Sequence, residues 1–313
     1  MRPLDCDSAV PMCTIHEPMS SPQPFTHRQP IRFSHCDPGG IVYFPHYFEM
    51  VYQAIEDWFD AAIEANLETR LRREGIGFPT VNTQCDFFKP SRVGDVLALE
   101  ISVARLGRSA VEFLVSGKVA GEERLRARHL IALVSLTTLR AVPIPGILRT
   151  KIAAHVAGGG GLARLPAPER ASERSFPSEY LIRFSHCDPG GIVHFPRFFD
   201  MINAAVEDWF ALALGLPFDS MHMERRYGFP IVHTQCEFLK PCRIGERLVL
   251  ELSVARIGRA SLELLLGGRI GGEQRMRARN VRAMMSLETY RALPIPGDLR
   301  AGMAPFVQQV RPA

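Results

Sequence analysis

The sequence predicts an α+β protein in which one small unit occurs twice, each copy wrapping an antiparallel sheet around a long helix. Three observations predict this. Residues 31–149 recur as 182–300 at a constant offset of 151, without a gap, and about half of the positions are identical. Within each copy, apolar residues at helical spacing come first and β-rich runs divided by turn residues come after. Finally, 313 residues with 46% hydrophobic and 22% charged side chains form a globular composition long enough for two domains.

The elements follow in order. Ile31-Arg32-Phe33-Ser34-His35 alternates apolar and polar side chains, as a short strand does, and Asp37-Pro38-Gly39-Gly40 ends it in a turn. Phe44, Phe48, Val51, Ile55, Trp58, Phe59 and Ala62 then recur at helical spacing over about five turns, with an apolar face broad enough to be largely enclosed. An irregular stretch runs to Gly77. Four strands are expected at 80–88, 96–105, 110–119 and 126–139, with Gly94-Asp95, Gly107-Arg108 and Gly121-Glu122 as hairpin turns. Hairpins in succession give one open antiparallel sheet covering the helix. Two such sheets can hide their edges in each other, and fusion raises the effective concentration of that pairing to about millimolar.

The expected organisation is a disordered lead-in at 1–27, one domain at 28–150, a flexible linker at 151–178, a second domain at 179–302 and a tail at 303–313. The linker contains Gly158-Gly159-Gly160-Gly161 and Pro166, Pro168 and Pro177; some 30 flexible residues span roughly 30 Å, enough for side-by-side pairing. A further homo-oligomer of the tandem unit stays open.

Composition excludes several classes. No run approaches the ~20 apolar residues of a membrane span, and the N-terminal segment lacks the sections of a signal peptide. The net charge is +4, carried almost wholly by arginine, since Lys89, Lys118, Lys151 and Lys240 are the only lysines. No basic stripe interleaved with aromatics points to nucleic acid. Seven cysteines without C-x-x-C or zinc spacing fit free thiols in a reducing, cytoplasmic setting, with no metal and no cofactor expected.

The densest chemistry lies in Phe33-Ser34-His35-Cys36-Asp37-Pro38-Gly39-Gly40-Ile41-Val42, repeated letter for letter at 184–193. A carboxylate stands beside two glycines that let a ligand approach the backbone. A helix N-terminus follows, whose free N–H groups can polarise a carbonyl or hold an oxyanion. Such a carboxylate suits a nucleophile or general base in acyl transfer. Capping of the turn by Asp37 accounts for the same residues about equally well.

Asp-Pro-Gly-Gly-Ile-Val-x-Phe-Pro before an aromatic-rich helix, with Gly77-Phe78-Pro79-x-Val81 later, resembles the hotdog-fold acyl-CoA thioesterases of the 4-hydroxybenzoyl-CoA thioesterase type. The resemblance covers nearly all of each repeat; the family usually has Ala where Gly39 and Gly190 stand. It implies a tandem hotdog fold, an acyl-CoA substrate, and catalytic aspartates at Asp37 and Asp188. It places the carbonyl-polarising backbone N–H at Phe44 and Phe195, and each site between the two units. For the coenzyme A phosphates it points to basic residues near a hairpin turn, here Arg108 and Arg259 first, then Arg105, Arg256, Lys89 and Lys240. An aromatic, benzoyl-type acyl group is the preferred expectation, with aliphatic acyl-CoA close behind. A non-catalytic acyl-CoA-binding module and a hotdog hydratase or dehydratase are the alternatives.

Other residues compete. Cys36 beside His35 suggests a nucleophile pair, but neighbours on a strand face opposite ways; a buried thiol and a structural histidine that shares the face of Asp37 are expected instead. Glu56 and Glu207 lie on the helices, where another hotdog subgroup keeps its catalytic carboxylate, although a surface role is the plainer reading. Asp86 and Glu237 are expected in solvent. Thr83-Gln84 and Thr234-Gln235 offer hydrogen bonds either to an acyl group or to the sheet. Near the motif the copies differ at Tyr43/His194, His46/Arg197, Asn82/His233 and Ser91/Cys242.

Overall fold

The structure is a computed structural model describing residues 25–64, 73–159, 161–165 and 174–308. The expected lead-in up to residue 24, Cys6, Cys13, Gly160, Pro166, Pro168 and the end of the tail lie outside the described residues. The first repeat contains β1 (Phe25–Pro30), α1 (Phe44–Ala61), β2 (Ile76–Gly77), β3 (Thr80–Phe87), β4 (Val96–Leu106), β5 (Ala110–Val119), β6 (Glu122–Ala132), β7 (Val134–Ser135) and α2 (Gly146–Ala153). The second contains β8 (Phe176–Leu181), α3 (Pro196–Asp208), β9 (Tyr227–Gly228), β10 (Ile231–Phe238), β11 (Arg247–Ile257), β12 (Ser261–Ile270), β13 (Glu273–Ala283), β14 (Met285–Ser286) and α4 (Gly297–Met303). No helix among the described residues is long and apolar enough to cross a membrane.

The ten long strands form one antiparallel sheet in the order β1-β4-β5-β6-β3-β10-β13-β12-β11-β8. The two repeats meet where β3 pairs with β10. Gln84 lies opposite Gln235, its own copy, since 235 − 84 = 151. Under the sheet, Phe48 stacks on its copy Phe199 with ring centroids 3.8 Å apart and planes 6° apart. A pseudo-twofold axis therefore passes through both pairs. The core lies between the sheet and α1 and α3, where Trp58, Phe59, Trp209 and Phe210 are completely buried.

Three expectations are corrected. The first strand is Phe25–Pro30, and Phe33–His35 is a 3-10 turn. His35 Nδ1 accepts the backbone N–H of Arg32 at 3.0 Å, so the side chain closes a turn instead of flanking a ladder. The last strand begins at Glu122, immediately after Ala120 and Gly121 reverse the chain at φ 50° and 82°. It also breaks after Ala132, where Val134–Ser135 leaves to pair with β2. The segment expected as a loose linker is in part fixed. α2 extends to Ala153 and β8 starts at Phe176. Between them, Leu165 donates its N–H to Glu237 at 3.0 Å, and Gln235 donates to the Ala163 carbonyl at 2.7 Å.

That crossing also settles several side chains. Glu237 is buried, whereas Asp86 is paired to His233 at 2.7 Å across the junction, so neither simply faces solvent. Thr83 bonds the Arg128 carbonyl and His129, and Thr234 bonds the Arg279 carbonyl. These residues serve the sheet.

Losing either ring of the Phe48–Phe199 stack leaves a cavity on the axis, and Phe48→Ala or Phe199→Ala should each cost about 3–5 kcal/mol. Urea unfolding of the full chain measures this; an unchanged midpoint would show that the stack does not hold the repeats.

Candidate active site

Asp188 sits in a loop closed by a bridge between Cys187 and Val193. Its backbone N–H donates to Ile192 O at 2.9 Å, and its Oδ1 accepts the N–H of Gly190 at 2.8 Å and of Ile192 at 3.4 Å. Gly191 takes φ 77°, a conformation open to glycine. Oδ2 has no protein partner among the described residues. Burial pushes the carboxyl pKa up, against the pull of the Ile192, Gly190 and Gly191 amides. Asp37 repeats the arrangement, with Gly39 donating to its Oδ1 at 2.9 Å and Gly40 at φ 74°. One carboxylate oxygen caps the turn and the other stays free, so capping leaves an oxygen open to a ligand.

The helices start directly after these loops. Phe44 opens α1 and Phe195 precedes α3, and neither N–H has a partner among the described residues. Pro45 and Pro196 follow, which removes the next donor at each start and leaves one N–H prominent.

Around Asp188 the two repeats enclose a cavity of about 490 Å³. The second repeat supplies Asp188, His194, Phe195, Phe198, Phe238 and Lys240, while the first supplies Tyr52, Glu56, Phe78, Thr80 and Leu139. The wall is aromatic: the Tyr52 ring lies 5.3 Å from His194 and 5.6 Å from Phe195, and Phe198 lies 5.1 Å from Phe238. Behind it, His129 is fully buried with its ring nitrogens 3.0 and 3.1 Å from the Thr80 and Thr83 hydroxyls. Burial and the neighbouring His194 lower its pKa to about 3, so it packs as a neutral ring.

Glu56 reaches this cavity from α1 of the other repeat. It is exposed, yet enough protein surrounds its carboxyl that burial, with Asp57 and Asp60 adding repulsion, raises its pKa to about 7. A second, polar hollow of about 300 Å³ adjoins, formed by Glu49, Tyr52, Gln53, Glu56, His194 and Arg197. Arg197 pairs there with Glu49 at 3.1 Å and Asp200 at 3.4 Å.

The basic residues separate. Lys240 lines the Asp188 cavity and pairs with Glu273. Lys89 makes the matching pair with Glu122. Arg105, Arg108, Arg256 and Arg259 are exposed around the β4–β5 and β11–β12 turns and do not line the cavity. Cys36 is half-buried, with burial raising its thiol pKa. His35 packs against His46 at 5.7 Å and shows no bond to Asp37, which leaves it a structural role. Tyr52 and His129 carry no motif, and only the tertiary packing brings them to the site.

Comparison with known proteins agrees with this architecture. The sequence profile of the thioesterase-like superfamily matches residues 31–152 and 182–303. A 1,4-dihydroxy-2-naphthoyl-CoA hydrolase of Nostoc punctiforme is 29% identical over 96 residues, 31% of this chain and 64% of the relative. The 4-hydroxybenzoyl-CoA thioesterase of a Pseudomonas species is 31% identical over 86 residues, 27% of this chain and 61% of its own length. Among solved structures, a putative oleoyl thioesterase of Lactobacillus plantarum superposes with a TM-score of 0.69 at 17% identity, covering 87% of this chain and 97% of that one, which shows the shared fold. With both repeats matched and both built as helix-wrapping sheets, the chain belongs to the thioesterase-like superfamily as two hotdog domains in tandem.

Proposed function

We propose that the acyl-CoA thioester hydrolase activity of this family resides, in this chain, in the cavity around Asp188, and that its acyl group is aromatic. The observation that carries the reading is the juxtaposition of a carboxylate oxygen without a protein partner, a free helix-start N–H at Phe195 and a wall of Tyr52, Phe78, Phe195, Phe198 and Phe238. A volume of about 490 Å³ falls within the range of small-molecule sites. The hydroxybenzoyl- and dihydroxynaphthoyl-CoA named for the relatives are the natural probes.

The chemistry follows from the atoms. The Phe195 N–H donates to the thioester oxygen and stabilises the negative charge that develops there. Asp188 Oδ2 takes a proton from a water whose oxygen adds to the carbonyl carbon, or adds to that carbon itself, in which case water hydrolyses the resulting acyl–aspartate anhydride after the thiolate has left. The C–S bond then breaks, and the coenzyme A thiolate leaves and is protonated. A carboxylate whose pKa is raised by burial is the stronger base for the first route. Of the six basic residues expected for the coenzyme A phosphates, Lys240 is the one at the cavity wall, where Arg197 also stands. We place the protein in the cytoplasm, with its acyl-CoA substrate.

Thiol release from a panel of aryl- and alkyl-CoAs tests the reading. Aryl-CoA should be preferred, and Asp37→Asn/Asp188→Asn together should lower turnover by about 10²- to 10⁴-fold. Hydrolysis by that double variant at the wild-type rate would overturn the assignment.

Glu56 supports a second reading, because it lines the same cavity with a pKa near neutrality. Its folded pKa is raised, so it keeps its proton up to about pH 7 and is charged above. If Asp188 is the reacting group, Glu56→Gln should leave most of the turnover but erase an inflection near pH 7 in the kcat/KM profile. Loss of turnover as complete as in Asp188→Asn would instead make Glu56 the reacting carboxylate.

A further inference from the structure

The residues around Asp37 are copies of those around Asp188, yet they are assembled differently. Several positions diverge, among them four that matter here: Tyr52 is replaced by Asn203, His194 by Tyr43, Leu139 by Tyr290 and Ile131 by Arg282, each 151 residues apart. Ile131 is a core residue, 1% exposed. Arg282, 3% exposed, carries a guanidinium into the same depth of the fold.

Its contacts show where that group ends up. Nη2 donates to Asn203 Oδ1 at 2.8 Å, Nη1 to the Phe229 carbonyl at 3.3 Å and Nε to Asn280 Oδ1 at 3.1 Å. Asn203 and Phe229 occupy the positions of Tyr52 and Phe78, both of which line the Asp188 cavity. The guanidinium therefore ties together two residues whose copies line the open cavity. Asn203 also bonds Tyr43 and donates to Glu207 at 2.5 Å. At the rim, Arg92 of the first repeat lies 5.2 Å over the ring of Tyr290, whose copy Leu139 lines the open cavity. Each of these four substitutions thus takes part in a contact on the Asp37 side that its copy does not make.

We propose that the duplicated sites have diverged into one working cavity, at Asp188, and one filled by Arg282, so that each chain binds and hydrolyses a single acyl-CoA. Asp37 then holds its turn and helix start without turning over substrate. This rests on the hydrolase reading above for the hydrolysis, but not for the binding count.

Isothermal titration with a phenacyl-CoA thioether, a benzoyl-CoA mimic whose C–S bond does not hydrolyse, counts sites directly. Wild type should bind one equivalent per chain, and Arg282→Ile, which installs the first-repeat residue, should bind two. In thiol-release assays Asp188→Asn alone should fall as far as the double aspartate variant. Two equivalents on wild type, or about half of the turnover left in Asp188→Asn, would overturn the proposal. A folded Arg282→Ile that still binds one equivalent would overturn the role of Arg282. If Arg282→Ile does not fold, the wild-type count and the Asp188→Asn residue of activity still decide. One bound analogue without turnover of any CoA thioester would reject the hydrolase reading and leave the single site standing.

Discussion

Gln84 opposite Gln235 in the central ladder, with Phe48 stacked on Phe199 beneath it, places each repeat against its own copy about one axis. The site depends on that register. A strand slip of one residue at the β3–β10 junction would flip every side chain to the other face of the sheet. It would also carry Phe78, just before β3, and Thr80, its first residue, away from Asp188. The Asp188 cavity exists because α1 of one repeat and the loop before α3 of the other are held at a fixed offset by this pairing. Fusion matters for the same reason: the interface forms within one chain and pays no association cost that depends on concentration.

Much of this was legible in the sequence. The constant offset made the duplication certain, and the helical spacing from Phe44 to Ala62 placed the central helix almost to the residue. The Asp-Pro-Gly-Gly loop marked the carboxylate because its glycines and proline constrain the backbone locally. Ile31 to His35 misled because alternation is only a weak signal over five residues, and a histidine able to bond its own backbone outcompeted the ladder. Tyr52 and His129 gave no local signal, and Glu56 offered only its place on the helix. Their importance arises from what the other repeat places opposite them, and no pattern within one repeat contains that information. Arg282 was in plain view as a difference between copies, but a substitution from Ile to Arg looks like surface drift until its burial is known.

Two readings that compete at the level of sequence are reconciled by geometry at Asp37 and Asp188. A carboxylate has two oxygens, and the turn uses one. Oδ1 is held by backbone N–H groups, which fixes the rotamer and leaves Oδ2 in a set direction. Preorganisation of this kind is what a reacting group needs, since the entropy of orienting it is spent during folding. A Cβ at Gly190 would stand 3.0 Å from Asp188 Oδ1, a tight contact that its glycine relieves.

Duplication within one chain removes a constraint that binds any symmetric dimer. There, one gene writes both sites, and a buried arginine that fills one cavity fills the other. Here Ile131 and Arg282 are independent, so one cavity can be kept while its counterpart becomes part of the core. The network that fills it includes a guanidinium bonded to two amide oxygens and a carbonyl, and burial lowers its pKa to about 10 against the more distant pull of Tyr43 and Glu207. A buried cation is costly to hold. That cost is tolerable only where the surrounding polar groups are themselves fixed, and they are fixed by the same pseudo-twofold packing that shapes the open site.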